Sequence, residues 1–388
     1  MRLLFFSPHY GTLGGVRSII DTLAHAAVAA GHDVTFVVDS DGARAPGPAR
    51  EMMLYPFPPQ VRDVRRLGRF VRKFPRAAAR LASAVRAARP DVVSVHCMRR
   101  FAPHVAFLRR ASGVPQVLNL QEGALPADAP QNVGLFRQLV RAADAVAACS
   151  EEAADYARRR GRARRVTVVP NGYDPAEFRP GPPYPNPRPY VLGLGRLEAQ
   201  KGFDTLVAAV EGIGDDVDVL LAGDGSERPR LEALAREHGV AARVRFVGAT
   251  DRPTTLALLR GAAVVACPSR FEGLPLVCIE ALAAERPLVA SAVNGIPEVV
   301  RDGETGLLVP ADDPVALAAA LLRMRRAPDE AARLAARGRT LVEQRHAWPV
   351  IAPAYLALCA EVARDLPPPR SQDIREPSRF PVRSTRSS

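Results

Sequence analysis

Two glutamates flank the start of a predicted helix at a spacing that suits the binding of a sugar joined to a diphosphate. Glu272 lies in the loop after a predicted strand, the helix begins near Pro275, and Glu280 lies more than one turn into it. Proline is favoured at the first helical position. Free backbone N–H groups at a helix start form an anion site, and carboxylates accept hydrogen bonds from sugar or ribose hydroxyls. Here those N–H groups belong to Gly273, Leu274 and Leu276.

Two cations lie in another loop of the same half of the chain. Arg196 follows the first predicted strand of that half, and Lys201 precedes the next helix. Cations at one strand exit can neutralise a diphosphate leaving group, because phosphate oxygens accept charge-assisted hydrogen bonds. Taken alone, either pair is better explained as solvated surface charge. The combination of two carboxylates, two cations and a helix start favours a binding site.

Short apolar runs alternate with helical patterns along the chain, as expected for parallel sheets covered by helices. Helical spacing is clearest over 18–30 and 203–210. The predicted strands are 3–6, 34–38, 92–95, 116–120, 145–148 and 166–169 in the first half, and 190–194, 217–222, 244–247, 264–267, 288–291 and 307–309 in the second. The fold class is therefore α/β, with two doubly wound Rossmann-like domains. A ligand in such sheets lies outside the carboxyl ends of the strands, so we expect it between the domains.

A proline-rich stretch divides the chain. Residues 180–189 contain too many prolines for the interior of a helix or strand and predict a stiff linker. We expect Rossmann-like domains at 1–180 and 181–348 and a helix at 349–365 that packs back on the first domain. Residues 366–388 lack periodicity and predict a disordered basic tail.

Composition excludes several classes of protein. The chain is 47% hydrophobic and 24% charged, which is the composition of a globular protein. Its 388 residues are too many for one ordinary hydrophobic core. No apolar run reaches the ~18 residues of a membrane-spanning helix, and the opening MRLLFF is too short for a signal peptide. The five scattered cysteines lack metal-binding spacings and predict buried, reduced thiols in a cytoplasmic protein.

Positive charge is concentrated in the first half of the chain. Residues 1–180 hold 27 Lys+Arg against 15 Asp+Glu, whereas 181–388 hold 26 of each. The segment 62–89 carries nine arginines and Lys73 against Asp63 alone. One interpretation is an amphipathic surface that binds anionic lipid or collects an anionic acceptor. The other is a solvated helix face in an arginine-rich protein. No nucleic-acid module is visible, and the expected location is cytoplasmic, with peripheral attachment to the inner face of the membrane left open.

The spacing of Glu272 and Glu280, together with Arg196 and Lys201, resembles the retaining, GT-B-fold glycosyltransferases of family 4 (glycosyl transferases group 1). Further matches cover nearly the whole ordered chain and occur in the order typical of that family. They are Gly14-Gly15 and the segments 31–34, 169–174, 178–180, 222–225, 244–248, 294–298 and 302–309.

The resemblance implies a role for each of these residues. Glu280 would hold the ribose of a nucleotide, and Arg196 with Lys201 would bind the diphosphate and act in catalysis. Glu272 would hold the donor sugar and is also a catalytic candidate, and the remaining catalytic candidates are Gln121 and Glu122. The other implied donor-binding residues are Gly14, Gly15, Thr250, Gly273, Leu274 and Leu276, with Thr250 contacting the base through its backbone. The second domain would thus bind a nucleoside diphosphate sugar, and the first an acceptor.

The sequence departs from the family pattern where relatives often carry a histidine after the strand 116–120. That position is Gln121 here, followed by Glu122. Gln121 cannot titrate, so it can orient an acceptor but cannot act as a base. Glu122 could take that role, or the leaving phosphate could accept the proton. His9, His96 and Gln121 are the candidate acceptor contacts, although a lone histidine in such a place is more often structural.

Two other features bear on the expected chemistry. Asp216 and Asp218 form a DxD pattern like the metal motif of another glycosyltransferase fold, but they lie at a strand entrance and are interpreted as a surface turn. We therefore expect no metal and no cofactor besides the nucleotide-sugar co-substrate. Glu285 stands where relatives usually have glycine. If this position requires a positive φ, glutamate there is strained, and we expect a local adjustment of the loop.

The sequence as a whole predicts a retaining glycosyltransferase that moves a sugar from a nucleoside diphosphate to a small-molecule or lipid-linked hydroxyl acceptor. A natural product, a glycolipid or a polysaccharide precursor would each fit. The alternatives are a nucleotide-sugar epimerase or a phosphorylase on the same fold, or a catalytically silent partner that binds sugar nucleotides. A Rossmann oxidoreductase is disfavoured, because Gly11, Gly14 and Gly15 do not fit GxGxxG.

Overall fold

The architecture was obtained as a computed structural model. It describes residues 1–8, 14–38, 50–54, 78–79, 81–97, 99–121 and 130–365. The predicted tail 366–388, the candidate residues His9 and Glu122, and most of the basic segment 62–89 lie outside the described residues.

The first sheet has seven parallel strands in the order β3-β2-β1-β4-β5-β6-β7. The chain thus runs to one edge of the sheet, returns to its centre, and then builds the other half. The strands are β1 (Arg2–Ser7), β2 (Asp33–Val38), β3 (Arg50–Leu54), β4 (Val92–Val95), β5 (Gln116–Leu120), β6 (Ala145–Ala148) and β7 (Val166–Val168).

The second sheet repeats this arrangement with six parallel strands in the order β10-β9-β8-β11-β12-β13. Its strands are β8 (Tyr190–Leu194), β9 (Asp218–Ala222), β10 (Val244–Gly248), β11 (Val264–Cys267), β12 (Leu288–Ser291) and β13 (Leu307–Val309). Two doubly wound sheets confirm the predicted fold class.

Helices connect the strands and cover both sheets. They are α1 (Gly14–Ala29), α2 (described over 78–79 and 81–88), α3 (Ala102–Ser112), α4 (Pro130–Ala142), α5 (Glu151–Tyr156), α6 (Phe203–Ala209), α7 (Arg228–Glu237), α8 (Arg252–Gly261), α9 (Leu276–Ala283), α10 (Ile296–Val299), α11 (Pro314–Arg326), α12 (Pro328–Arg345) and α13 (Trp348–Asp365). None of these helices, within the part of the chain that the structure describes, is long and apolar enough to cross a membrane.

The central strands are mostly apolar because helices bury both of their faces, and the polar residues they carry, such as Ser94 and Asn119, are buried as well. β4, β5, β6, β9, β11 and β12 are buried at every residue. β3, which was not predicted, lies at the edge of the sheet formed by the described strands, pairs with β2, and begins with Arg50 and Glu51. An edge strand needs no continuous apolar run, so composition gave no signal for it.

The last helix, α13, joins the core of the first sheet. Trp348, Ile351 and Tyr355 pack in one apolar cluster with Phe5 of β1 and Ile20 of α1. This packing agrees with the predicted placement of the C-terminal helix. The boundaries at 180 and 348 stay a prediction.

Glu285 keeps the left-handed conformation rather than causing the loop adjustment that we expected. It follows α9 with a φ of +54°, its N–H donates to Leu282 O, and the N–H of Arg286 donates to Ala281 O. These bonds close the helix end in the way that normally uses glycine. The helix end therefore forces Glu285 into the left-handed conformation, which reduces the free energy of unfolding by about 1–2 kcal/mol.

The described part of the basic segment is an ordinary amphipathic helix. In α2, Leu81, Ala84 and Val85 are buried in the core of the first domain, whereas Arg86 is exposed. Over these residues the solvated helix face is the better interpretation. The arginines at 62–76 and Arg80 lie outside the described residues.

Candidate active site

The candidate site lies where the strand order of the second sheet reverses. β8 and β11 are neighbours, and the chain builds outward from them in opposite directions. The segment after β8 carries Arg196 and Lys201, and the loop after β11 carries Glu272. Doubly wound sheets bind ligands in this place, outside the carboxyl ends of the strands. The topology thus brings the predicted cations and carboxylates to one edge.

Lys201 and Glu272 form a buried ion pair. Lys201 Nζ lies 2.5 Å from Glu272 Oε1, and the side chains are 18% and 8% exposed. The same oxygen accepts a hydrogen bond from Ser269 Oγ at 2.8 Å. Burial acts to lower the pKa of Lys201, but the carboxylate of Glu272 outweighs it, and the pKa is raised. Lys201 therefore stays charged in a nearly dry setting, where attraction to an anion is strong.

Arg196 is exposed in the same segment. It makes no ion pair with any residue in the described ranges. Its charge acts on Lys201, which places the two cations near each other. An arginine without a carboxylate partner at a ligand-binding edge has its fork of donors available for phosphate oxygens.

The start of α9 offers free backbone donors beside this pair. The N–H groups of Gly273, Leu274 and Leu276 donate to no acceptor within the described part of the chain. Pro275 is the N-cap rather than the first helical residue that we predicted, so the helix begins one residue later. Free amides and the positive end of the helix dipole attract anions.

The loop of Gly273 lies directly against the first domain. A Cβ added at Gly273 would stand 2.3 Å from the carbonyl oxygen of Gln121 and 3.0 Å from Cys149 Sγ. Any other residue there would push the domains apart. Asn171 supports the same loop by donating from Nδ2 to Leu274 O at 2.8 Å, although the sequence analysis gave Asn171 no chemical role.

The first domain contributes a second helix start. α1 begins at Gly14, and a Cβ added at the next residue, Gly15, would stand 3.1 Å from Leu276 Cδ1. Leu276 is the first residue of α9. The starts of the two helices therefore lie against each other across the domain boundary, and each carries the positive end of its helix dipole. This geometry agrees with the predicted donor-binding role of Gly14 and Gly15, which stays a prediction.

Glu280 is buried on α9 and held by an arginine that the sequence analysis did not identify. The carboxylate is 13% exposed, and its Oε1 lies 2.5 Å from Arg252 Nη1. Burial raises the pKa of Glu280 above its ordinary value; Arg252 opposes that effect, and Glu177 adds to it. The other carboxylate oxygen makes no hydrogen bond with any described residue.

Thr250 lies immediately before the N-cap of α8, Asp251. Its hydroxyl is within 2.9 Å of Thr255 Oγ1, so the side chain is already occupied. That leaves its backbone groups for the predicted contact with a base.

Gln121 directly follows β5, and its side chain forms a hydrogen bond within the first domain. Its Nε2 donates to Asn119 Oδ1 at 2.5 Å, and its side chain is half-buried. Its backbone carbonyl faces Gly273, as described above. Gln121 thus lies beside the loop of Gly273, and its predicted role in orienting an acceptor stays a prediction.

The structure does not support acceptor binding by His96 in this conformation. The residue is 2% exposed, its ring stacks on Phe5 with centroids 5.4 Å apart, and Nε2 lies 2.6 Å from Ser94 Oγ. Burial lowers the pKa of His96 to about 3, so the ring is neutral. The sequence correctly placed it after a strand, but not its depth beneath the surface.

Asp216 and Asp218 each pair with an arginine at the opposite end of the second sheet. Asp216 lies 2.6 Å from Arg325 Nη2, and Asp218 lies 3.4 Å from Arg188 Nη1. The interpretation as a surface turn fits Asp216, which is 74% exposed, but is wrong for Asp218, which is the buried first residue of β9. No group of three His, Cys, Asp or Glu side chains within the described ranges is placed to hold a metal ion.

Sequence reasoning missed Arg252, Ser269 and Asn294. Ser269 lies in the same loop as Glu272, and Asn294 accepts from the Glu272 N–H at 3.1 Å. A signal existed for Ser269, because it precedes Glu272 by three residues in one loop. None existed for Arg252, because 28 residues separate it from Glu280.

Known families match nearly all of the chain. Residues 13–177 match "Glycosyltransferase Family 4", and residues 175–341 match "Glycosyl transferases group 1". The chain is 36% identical over 265 residues to a D-inositol 3-phosphate glycosyltransferase of Xylanimonas cellulosilytica, covering 62% of this chain and 63% of that relative. It is 32% identical to a glycogen synthase of Mycobacterium tuberculosis, covering 73% of this chain and 72% of that enzyme.

Solved structures share the fold. A sucrose-phosphate synthase of Thermosynechococcus elongatus superposes with a TM-score of 0.80 at 25% identity, covering 94% of this chain and 100% of that one. Anabaena HepE in complex with UDP-glucose superposes with a TM-score of 0.76 at 20% identity, covering 92% and 99%. Together with the two facing doubly wound sheets, these matches show that the chain belongs to glycosyltransferase family 4, with the GT-B fold and the use of a nucleotide-sugar donor that define its members.

Proposed function

We propose that the protein is a retaining glycosyltransferase whose second domain, residues 181–348, binds the donor while the first, residues 1–180, holds a hydroxyl acceptor. The observation that carries this proposal is the buried pair of Lys201 and Glu272 beside the free amides of α9. Cation, carboxylate and amides are the three groups that a nucleoside diphosphate sugar requires at its reacting end.

Donor entry would rearrange the pair rather than simply fill a gap. The diphosphate would form ion pairs with Lys201 and Arg196. Its oxygens would also accept hydrogen bonds from the backbone N–H groups of Gly273, Leu274 and Leu276. Glu272 would then lose its lysine partner while keeping Ser269, and its Oε1 would accept a hydrogen bond from a hydroxyl of the donor sugar. The exchange couples diphosphate binding to sugar binding, because the same contact must break for both.

Transfer would proceed mainly through electrostatic stabilisation of the departing diphosphate. The bond between the anomeric carbon and the phosphate oxygen breaks, and the acceptor oxygen forms the new bond on the same face. The acceptor proton goes to a phosphate oxygen of the leaving group, since the amide of Gln121 cannot take it. Glu122 is the other candidate for this proton. Closure of the crevice excludes water, so transfer outcompetes hydrolysis.

We propose UDP-glucose as the first donor to be tested, because Anabaena HepE binds it on the same fold. The cations and helix starts supply the positive charge that a metal would otherwise provide, so we propose metal-independent transfer. The acceptor would be a small natural product, a glycolipid or a polysaccharide precursor. Cytoplasmic location and contact of residues 62–89 with anionic membrane remain part of this proposal.

The test is the replacement of Lys201 by methionine, which keeps the length of the side chain and removes its charge. We expect Lys201→Met to lower the transfer rate at least a hundredfold, because a charge-assisted contact to the leaving group is worth about 3 kcal/mol. Arg230→Met is the matched control, since Arg230 is a 59% exposed cation of the same domain that pairs with Glu227 and Asp204.

Product analysis completes the test. The released nucleoside diphosphate and the anomeric configuration of the product would be measured with and without acceptor, for the wild type and both variants. A folded Lys201→Met variant with turnover equal to that of Arg230→Met would refute the proposal. Conversion of the donor sugar without transfer would instead identify an epimerase.

A further inference from the structure

The contact between Arg252 and Glu280 commits one oxygen of the carboxylate and leaves the other uncommitted. Arg252 Nη1 donates to Oε1 at 2.5 Å, and the second oxygen has no hydrogen-bond partner among the described residues. Both residues lie at the ligand-binding edge, since Arg252 begins α8 after β10 and Glu280 is on α9. The arrangement orients the carboxylate as well as neutralising it.

Arg252 is itself fixed from the opposite side. Its Nε and Nη2 both donate to Glu177 Oε2, at 3.0 and 2.6 Å. Its guanidinium stands 5.5 Å from the ring centroid of Phe178, and that ring packs edge-on against Tyr173. Glu177 and Phe178, which lie just before the proline-rich linker, thus hold the guanidinium on the side away from Glu280 and limit its freedom to follow another partner.

Resting on the proposed function, we propose that Arg252 is a positioning residue for donor binding. It donates a hydrogen bond to Oε1 of Glu280, while Glu177 and Phe178 hold its guanidinium in place. The other carboxylate oxygen of Glu280 is then oriented to accept hydrogen bonds from the two ribose hydroxyls. The specificity for a ribonucleotide donor then depends on a residue that need not touch the ribose.

This role has a consequence for pH that a purely structural role lacks. Arg252 from α8 and Glu177, which precedes the proline-rich linker, are the ionisable groups that act on Glu280 among the described residues. Burial already raises the pKa of Glu280, and Arg252 opposes that effect. Removing Arg252 leaves burial and the charge of Glu177, which both favour the protonated acid. The variant should therefore recover an ionised Glu280 only at higher pH.

The experiment compares the binding of UDP with that of its 2′,3′-dideoxy analogue by titration calorimetry from pH 6 to pH 9, on the full chain. The ratio of the two dissociation constants isolates the ribose hydroxyls, because both ligands carry the same diphosphate. GDP and its dideoxy analogue are run in parallel, because the base is unassigned. At neutral pH we expect wild type to prefer the ribonucleotide about tenfold or more.

The variants are Arg252→Met, Arg252→Lys and Glu280→Ala, with Arg260→Met as the matched control. Arg260 is on the same helix and donates to the backbone carbonyl of Glu177 but makes no bond to Glu280. Arg252→Met should lose the ribose preference at neutral pH and regain it as pH rises, and Arg252→Lys should retain part of it. Arg260→Met should behave as wild type.

The outcomes separate the two proposals. If Glu280→Ala keeps the ribose preference, the proposed role of Glu280 in donor binding fails, whatever Arg252 does. If Glu280→Ala loses the preference but Arg252→Met keeps it at every pH, the positioning role of Arg252 is overturned. A pH-independent loss in Arg252→Met would also overturn it. Near-ultraviolet circular dichroism of each variant establishes that the compared proteins are folded.

Discussion

Glu298 of the second domain caps a helix of the first, and its removal should loosen the closed arrangement of the domains. Its two carboxylate oxygens accept hydrogen bonds from the N–H groups of Glu151 and Glu152, at 2.8 and 3.0 Å. Those residues form the first turn of α5, whose dipole adds to the attraction. A hydrogen bond to a charged group contributes about 1.5–3 kcal/mol, less where water competes. The half-buried pair should therefore contribute about 2 kcal/mol to domain association.

The perturbation is Glu298→Ala, and the readouts are solution scattering and UDP affinity. A loss of about 2 kcal/mol shifts the closed-to-open equilibrium by about thirtyfold. The radius of gyration of the free protein should rise, and saturating UDP should bring it back toward the wild-type value. The dissociation constant for UDP should increase by no more than that thirtyfold factor, since binding can only recover the lost closed population.

Two further variants make the result interpretable. Glu298→Gln keeps the shape and one acceptor oxygen, so it should give an intermediate effect. Glu304→Ala removes an exposed carboxylate whose ion pair, with Arg301, lies within the second domain. If Glu298→Ala matches Glu304→Ala in both radius and affinity, the two bonds do not hold the domains together and the reasoning fails.

Two predictions concern stability rather than binding. Glu285→Gly should raise the free energy of unfolding by about 1 kcal/mol, because glycine adopts the φ of +54° without the penalty that glutamate incurs. Glu285→Ala is its control in chemical denaturation, and equal stability of the two variants would contradict the strain. His96 is neutral in the fold, with its pKa lowered to about 3 by burial, so the unfolded chain binds the extra proton and stability falls as pH drops below about 6.5. Between pH 6 and pH 4, His96→Gln should flatten the dependence of unfolding free energy on pH by about 1.4 kcal/mol per unit. A slope unchanged from wild type would show that another group causes the acid sensitivity.

The sequence was informative where burial and topology determine the answer. Parallel strands covered on both faces are mostly apolar, so runs such as Val264–Cys267 could be located almost to the residue. The meeting of Lys201 with Glu272 followed from a rule of topology, since both come after the central strands of one sheet.

Other contacts could not be predicted, because they depend on side-chain reach between elements distant in the chain. Arg252 meets Glu280 from a different helix, and Glu298 meets α5 from a different domain. Ser94, which contacts His96, likewise meets Tyr355 of α13, whose hydroxyl approaches from the far end of the sequence to 2.5 Å. No local pattern records these distances.

The return of α13 to the first domain means that the polypeptide passes between the domains twice. The two passages run side by side: the N–H of Tyr173 donates to His346 O at 2.9 Å, and the N–H of Trp348 donates to Tyr173 O at 3.0 Å. Two tethers fastened to each other at one place restrict relative motion to rotation about that place and oppose separation or sliding. Opening of the crevice between the domains would then be a hinge rotation about the region of Tyr173. The largest displacement would occur at the part of the crevice farthest from that residue.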